Sequence, residues 1–221
     1  FIAGAGGMLG EAFYNVFKSN YELKCTDIDL NEKWLEELDF RKEKYYFEKV
    51  NSFKPDYLFH LGAYTDLEYC EQNEEDTFLT NTESVKYAVE ISNDLNIPLL
   101  YISTAGIFDG SKETFDESDS PNPQGIYAKS KFFAEKFVQE NSRVYLICRA
   151  GWMMGGGLKK DKKFISKIIK QIDSGSKEIF VVDDKLGTPT YTYDFAYNTK
   201  ELLKLKKWGL YNMVCQNKTS R

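Results

Sequence analysis

The chain has 221 residues, of which 42% are hydrophobic, 15% aromatic and 29% charged, and its formal net charge is −5. This composition suits one large folded domain, or a domain with a small appendage, and it excludes a disordered or collagen-like chain. No run of about 18 apolar residues exists, which excludes a membrane-spanning helix, and the acidic balance argues against a nucleic-acid partner.

Short apolar runs alternate with helical patterns along the chain, which predicts βαβ units and a doubly wound parallel sheet. We predict strands at 1–3, 22–26, 57–61, 98–103, 144–149 and 178–182. We predict helices at 9–20, 34–38, 43–53, 75–95, 126–140, 164–174 and 193–205. The run 210–215 is also strand-like. Long loops at 105–125 and 150–163 follow strands, which is where an α/β sheet binds ligands.

A glycine-rich loop follows the first predicted strand and opens the first predicted helix, with the spacing Gly4-x-x-Gly7-x-x-Gly10. Without Cβ atoms the backbone can approach a pyrophosphate, and the N–H groups of a helix N-terminus bind the anion. The alternative is a plain strand-to-helix turn, but the order of strand, loop and helix favours a dinucleotide. We predict cofactor contacts from Gly4, Gly7, Met8, Leu9 and Gly10 in a Rossmann-type sheet.

An acidic residue follows the second predicted strand, about 20 residues after the loop, as a dinucleotide fold requires. Asp27 would accept hydrogen bonds from ribose hydroxyls and repel a 2′-phosphate, whereas Asp29 fits a solvated turn. Arg41 and Lys42 lie further along and could tolerate a phosphate. The predicted cofactor is therefore NAD(H) or NADP(H), with a mild preference for NAD(H).

Tyr127 and Lys131 lie one helical turn apart on one face of a predicted helix. A nearby ammonium stabilises tyrosinate, so we expect Lys131 to lower the pKa of Tyr127 toward working pH and prepare it for proton transfer. Without the glycine loop upstream, the same spacing would indicate only a surface pair of side chains on an amphipathic helix. Ser103 and Thr104 end an apolar strand, where a hydroxyl can bind a reacting oxygen or cap a turn.

Further segments extend this pattern along the chain, at 60–65, 107–110, 116–117, 149–152 and 184–190. Together with 4–10, 103–104 and 127–131, they resemble the extended short-chain dehydrogenase/reductase family, and most of all its dTDP-4-dehydrorhamnose reductase branch. The resemblance covers essentially the whole chain, and 149–152 and 184–190 are its most branch-specific parts.

The resemblance implies roles for single residues. Thr104 matches the catalytic hydroxyl, Tyr127 the general acid and Lys131 its ribose-binding partner. Cofactor-binding positions are matched by Asp39, Phe40, Gly62, Ala63, Tyr64, Thr65 and Asn81. Trp152 matches a tryptophan that packs on the sugar nucleotide. Thr104 and Ala105 are the other positions expected to bind the substrate, and Ala105 stands where the branch usually carries an aspartate facing the sugar, so the sugar itself stays open.

The implied activity is NAD(P)H-dependent reduction of the 4-keto group of a nucleotide-linked 6-deoxy sugar, for polysaccharide biosynthesis. An epimerase or dehydratase with tightly held NAD, and a non-catalytic regulatory subunit, remain alternatives. The expected partner is a nucleotide sugar, without nucleic acid or membrane. The sequence does not fix the oligomeric state, for which a homodimer is one candidate.

Residues 1–149 are predicted to form the dinucleotide-binding domain. Residues 150–221 are predicted to form mostly a smaller substrate-binding region, interleaved with the Rossmann core and incomplete. The chain opens inside a predicted strand and ends on a polar stretch, so we expect both ends to be cut. The lysines at 159, 160, 162 and 163 suit a solvated face or the steering of a diphosphate.

Cysteine and histidine are too sparse and scattered for a zinc site. The four cysteines, Cys25, Cys70, Cys148 and Cys215, form no C-x-x-C pair, and His60 is the one histidine in the sequence. We expect a structural role for His60 and no metal. Scattered thiols are typical of a reducing compartment, so we expect a cytoplasmic protein.

Overall fold

The computed structural model describes residues 1–161 and 163–220, so that Lys162 lies outside the described residues. The strands are, in chain order, β1 (Ile2–Ala3), β2 (Cys25–Asp27), β3 (Leu35–Glu37), β4 (Leu58–His60), β5 (Leu99–Thr104), β6 (Tyr145–Ala150), β7 (Trp152–Met154), β8 (Leu186–Gly187), β9 (Pro189–Tyr191), β10 (Gly209–Met213) and β11 (Thr219–Ser220). The α-helices are α1 (Met8–Phe17), α2 (Glu43–Phe53), α3 (Leu67–Gln72), α4 (Glu74–Phe78), α5 (Ser84–Asp94), α6 (Gly125–Asn141), α7 (Gly157–Lys160), α8 (Phe164–Asp173) and α9 (Thr192–Lys204).

The main sheet has seven strands in the order β3-β2-β1-β4-β5-β6-β10, and every neighbouring pair is parallel. This is the Rossmann order, and it confirms the predicted doubly wound fold. The order of the strands reverses between β1 and β4, which leaves a crevice at their carboxyl ends, where such sheets bind ligands.

Two apolar cores cover the two faces of this sheet. On one face, Phe13 of α1 and Phe195 of α9 pack with Leu100 of β5. On the other face, helices α2, α5 and α6 pack against the alternate side chains Leu99 and Tyr101 of the same strand. The alternation along β5 explains why this strand is apolar in consecutive positions, as strands covered on both faces must be.

The helix predicted at 75–95 is not one continuous α-helix. It divides into α4, a π-helical segment at Leu79–Glu83 and α5. The π-helical turn buries Thr80, Asn81 and Thr82 against α6. Wide turns of this kind recur at functional sites, and this one lies directly behind the crevice.

Two predicted elements are wrong. Residues 34–38, predicted as a helix, contain strand β3, which pairs with β2 at the sheet edge. So short a run has no helical nucleus of its own, and the neighbouring strand supplies hydrogen bonds instead. Residues 178–182, predicted as a strand, lie outside the described strands; the Phe180 side chain is 88% exposed there.

The last third of the described chain leaves the sheet and returns to it. Strand β7 pairs with β9, and β8 pairs with β11, in two small separate sheets. Helix α9 then packs on α1, and β10 closes the main sheet beside β6. No helix among the described residues is long and apolar enough to cross a membrane.

Candidate active site

A cleft of about 670 Å³ opens at the carboxyl ends of the central strands. Its walls are the loops that follow β1, β2, β4, β5 and β6, which converge there because all five strands are parallel. It brings together most of the predicted site residues: Gly4, Gly7, Met8, Leu9, Gly10, Asp27, Asp39, Phe40, Gly62, Ala63, Tyr64, Thr65, Thr104, Tyr127 and Lys131.

The glycine loop packs closely against neighbouring backbone at Gly4 and Gly10, and it is open at Gly7. A Cβ on Gly4, whose φ is +77°, would lie 2.2 Å from Cα of Gly62, and a Cβ on Gly10 would lie 2.2 Å from the Ala5 carbonyl oxygen. Gly7, in contrast, has nothing within 4 Å of that position, and no side chain caps helix α1, which begins after it. The uncapped N–H groups at the positive end of α1 therefore face open space, as anion binding requires.

Asp27 is fixed at the end of β2 by backbone donors. Its Oδ2 accepts a hydrogen bond from Gly6 N at 2.7 Å, and its Oδ1 accepts one from Asp29 N at 2.9 Å. A Cβ on Gly6 would lie 2.8 Å from the Asp27 carboxyl carbon. Gly6 therefore lines the cleft, although the predicted spacing of glycines 4, 7 and 10 did not include it. Its position between Gly4 and Gly7 in the glycine-rich loop could have identified it from the sequence.

The side chains after β3, Asp39 to Arg41, close one end of the cleft. Arg41 Nε and Nη2 donate to the two carboxylate oxygens of Asp39 at 2.8 and 3.0 Å, and its Nη1 donates to Asp76 at 3.1 Å. This guanidinium holds the pKa of the Asp39 carboxyl below its usual value. Arg41 is already bound by two carboxylates, and its Nη1 also donates to the Tyr64 hydroxyl at 3.2 Å. It therefore makes a poor phosphate ligand.

Phe40 and His60 support the loop after β4 from below. A Cβ on Gly62 would lie 2.2 Å from the Phe40 ring, whose edge contacts the buried His60 imidazole. His60 Nδ1 lies 3.1 Å from the Tyr46 hydroxyl and Nε2 lies 3.3 Å from Ser84 Oγ. Burial lowers the pKa of His60 to about 3, so the ring is neutral and structural.

Asn81 lies behind the cleft rather than in its wall. Its Oδ1 accepts from Tyr64 N at 2.8 Å, and its Nδ2 donates to Tyr64 O at 3.0 Å and to Ser130 Oγ at 3.1 Å. Ser130 Oγ donates in turn to the Tyr127 carbonyl oxygen at 2.8 Å. Asn81 therefore holds the loop after β4, at Tyr64, against α6 and next to the turn that carries Tyr127.

Thr104, Tyr127 and Lys131 meet at the other end of the cleft. Thr104 Oγ1 accepts a hydrogen bond from Gly106 N at 3.0 Å, and the Thr104 hydroxyl lies close enough to Tyr127 to act on the pKa of its phenol. The Lys131 side chain is buried, with Nζ 4.3 Å from the centre of the Tyr101 ring. Ser103, beside them, has a buried hydroxyl without a hydrogen-bond partner among the described residues. The three predicted catalytic groups thus come from one strand and one helix.

The protonation of this group differs from the expected one. Burial raises the pKa of Tyr127 to about 12 and lowers the pKa of Lys131 to about 7. The expectation that Lys131 lowers the pKa of Tyr127 is therefore wrong, because the net shift of Tyr127 is upward. Loss of solvation is the largest cause of the shift in both groups, and it favours the neutral form of each.

Of the three predicted substrate-binding residues, Thr104 lines the cleft, whereas Ala105 and Trp152 do not. Ala105 begins a short 3₁₀ turn, Ala105–Ile107, just beyond Thr104. Trp152 packs against Gly187, where a Cβ would lie 2.4 Å from the indole ring. Met153 and Gly151, on either side of Trp152, do line it and were missed. The role of Trp152 toward a sugar stays a prediction.

A family model described as the RmlD substrate binding domain matches residues 1–221. The chain belongs to this family. It is a member of the dTDP-4-dehydrorhamnose reductase branch of the extended short-chain dehydrogenase/reductases, which confirms the predicted resemblance. The matched region includes both the glycine loop and the helix that carries Tyr127 and Lys131.

Individual relatives agree with this assignment. The chain is 30% identical over 196 residues to the dTDP-4-dehydrorhamnose reductase of Aggregatibacter actinomycetemcomitans, covering 88% of this chain and 64% of that protein. It is 29% identical over 197 residues to the spore coat polysaccharide biosynthesis protein SpsK of Bacillus subtilis (strain 168), covering 88% and 66%. The chain therefore spans less than two thirds of the length of either relative.

A solved structure shows the same fold. The dTDP-4-dehydrorhamnose reductase of Bacillus anthracis str. Ames, in complex with NADP, matches with a TM-score of 0.85 at 26% sequence identity. The match covers 99% of this chain and 75% of that one.

Proposed function

We propose that this chain forms the cofactor-binding and catalytic part of an NAD(P)H-dependent reductase. Its substrate would be the 4-keto group of a nucleotide-linked 6-deoxy sugar, dTDP-4-dehydrorhamnose or a close relative, in polysaccharide biosynthesis. The observation that carries the proposal is the presence of Thr104, Tyr127 and Lys131 in the same cleft as the open N-terminus of α1. The names of the relatives support this substrate class.

The residues of the cleft fit a nicotinamide dinucleotide. The uncapped end of α1 beside Gly7 would hold the pyrophosphate, and the Asp27 carboxylate would accept from the adenosine ribose. Lys131 would bind the second ribose, near Tyr127. When bound in its reduced form, the cofactor supplies the hydride that goes to the carbonyl carbon.

The proton comes from the chain itself. With a pKa raised to about 12, Tyr127 keeps its proton at neutral pH, which is the form that a general acid needs. It would transfer this proton to the alkoxide that develops at the sugar, while the Thr104 hydroxyl holds the same oxygen. The charged form of Lys131 would stabilise the phenolate left behind, and its pKa of about 7 makes that form available near neutral pH.

Oxidation of NADH and NADPH by dTDP-4-keto-6-deoxy-L-lyxo-hexulose tests the proposal, with wild type compared to Tyr127→Phe. Loss of the general acid should reduce kcat by about 10²- to 10⁴-fold. Tyr197→Phe, whose side chain is 57% exposed on α9, is the matched control and should keep full activity. Dinucleotide that co-purifies with the protein, without net NADH or NADPH consumption, would instead indicate an epimerase or dehydratase.

A further inference from the structure

Three lysines form one wall of the cleft near its adenosine end. Lys159, Lys160 and Lys163, called here the lysine rim, line the same space as Gly6 and Asp27. Helix α7, which carries the first two, begins directly above the glycine loop, where a Cβ on Gly156 would lie 2.8 Å from the Met8 Cβ. The rim therefore belongs to the dinucleotide side of the site.

A chain of hydrogen bonds joins the rim to the ribose-binding carboxylate. Lys159 Nζ donates to the Asn31 carbonyl oxygen at 3.1 Å, and Asn31 Nδ2 donates to the Gly6 carbonyl oxygen at 3.0 Å. Gly6 N then donates to Asp27 Oδ2 at 2.7 Å. Two residues thus separate the Lys159 ammonium from the group expected to hold the adenosine ribose.

The Lys159 and Lys160 ammonium groups share a single carboxylate as their ion-pair partner among the described residues. Glu32 is the carboxylate recorded beside both ammonium groups, at 2.7 Å from Lys159 Nζ and 3.5 Å from Lys160 Nζ. The Lys160 side chain is only 3% exposed, and its Nζ has no hydrogen-bond partner among residues 1–161 and 163–220. A buried ammonium with unused donors is costly unless an anion completes its shell.

The opposite wall, in the part of the chain that the structure describes, offers no cation with unused donors of this kind. Arg41 there is bound by Asp39, Asp76 and the Tyr64 hydroxyl. Lys42, the other cation suggested by the sequence, does not line the cleft. A phosphate on the adenosine ribose would therefore find its donors on the lysine rim and not on the segment after β3.

We propose that Lys159 and Lys160 bind the 2′-phosphate of NADP(H), so that the cleft accepts this cofactor although Asp27 would repel the phosphate. The inference rests on the proposed function, because it takes the cleft to bind a dinucleotide. The lysine rim offsets the carboxylate, and both cofactors bind with similar affinity. The pyrophosphate, which both cofactors share, is held at α1.

Isothermal titration calorimetry with NADP⁺ and NAD⁺ separates these contributions. The Lys159→Met/Lys160→Met double variant should bind NADP⁺ about 10- to 100-fold more weakly, the range expected for lost charge-assisted hydrogen bonds. NAD⁺ affinity should stay within about twofold, which also shows that the fold is intact. Glu32→Gln, which frees both lysines, should tighten NADP⁺ binding by a small factor.

Lys33→Met is the matched control, because it removes the same charge from an exposed position next to Glu32 and outside the cleft. It should leave both affinities unchanged. Equal losses for NAD⁺ and NADP⁺ in the double variant would place the lysines on the pyrophosphate and overturn the inference, as would an unchanged NADP⁺ affinity. Lys159→Met alone, with a side chain 63% exposed, repeats the test without disturbing the interior. Failure of wild type to bind either dinucleotide would instead refute the proposed function.

Discussion

The two ends of the cleft control charge by different physical means. At the catalytic end, Tyr127 and Lys131 sit on a helix packed against the sheet, and burial drives both toward their neutral forms. At the end beside β3, Arg41 and Asp39 are partly exposed ions that neutralise each other. Solvation therefore sets protonation at one end, whereas ion pairing sets it at the other.

The same contrast between burial and solvation appears within helix α6. Under the catalytic end, Arg149 of β6 forms a fully buried ion pair with Glu135 of α6, one turn beyond Lys131, at 2.6 Å. The pairs on the outer surface of the same helix, such as Lys136 with Glu140 at 3.7 Å, are solvated on both sides. A charge change should therefore be severe beneath Lys131 and mild on the outer face.

The largest effect on stability is expected at this buried pair. Glu135→Gln leaves the Arg149 guanidinium buried without a counter-charge, so the free energy of unfolding should fall by about 3–5 kcal/mol. Urea denaturation measures it, and Glu140→Gln on the same helix is the control, with no measurable change expected. Equal decreases in the free energy of unfolding for the two substitutions would show that the buried ion pair of α6 contributes no more to stability than the exposed one.

The next effect is a pH dependence caused by Lys131. Its pKa is about 7 in the folded protein and 10.5 as the ordinary value, so between these limits the unfolded chain binds more protons. The free energy of unfolding of wild type should therefore increase as the pH rises above about 7, by up to about 1.4 kcal/mol per pH unit. Below pH 7 this gain is absent, because Lys131 is protonated in both the folded and the unfolded state. Lys131→Met should remove that slope.

Urea denaturation at several pH values measures the difference between the two proteins. Lys136→Met, which removes an exposed lysine from the same helix, should keep the slope of wild type. A wild-type protein whose stability does not depend on pH in this interval, relative to Lys131→Met, would mean that Lys131 keeps ordinary solvation in the folded state.

Features carried by local pattern could be read from the sequence. The alternation of strands and helices predicted the Rossmann order, and the glycine spacing with Asp27 predicted one wall of the cleft. Strand β3 was mistaken for a helix because a run so short has no decisive hydrophobic period. The role of Asn81 depends on a π-helical turn that faces another loop, which no local spacing reveals.

Electrostatics was the least predictable part of the site. The helical spacing placed Lys131 beside Tyr127, but the sign of both pKa shifts follows from how deeply the pair is buried. The lysine run at 159–163 raised the possibility of diphosphate steering. Only the tertiary contacts of Lys159 with Asn31 and Glu32 place it against the loop after β2.

The smallest of these effects separates packing from binding within the glycine loop. Gly10→Ala places a Cβ against the Ala5 backbone and should cost about 1–3 kcal/mol of unfolding free energy. Gly7→Ala meets nothing within 4 Å and has an ordinary φ of −78°, so its stability should stay within about 0.5 kcal/mol. Its dinucleotide affinity should nevertheless fall, because the added methyl group projects where the pyrophosphate would approach α1. Unchanged NAD⁺ binding by Gly7→Ala in calorimetry would show that the open space beside α1 is not the phosphate site.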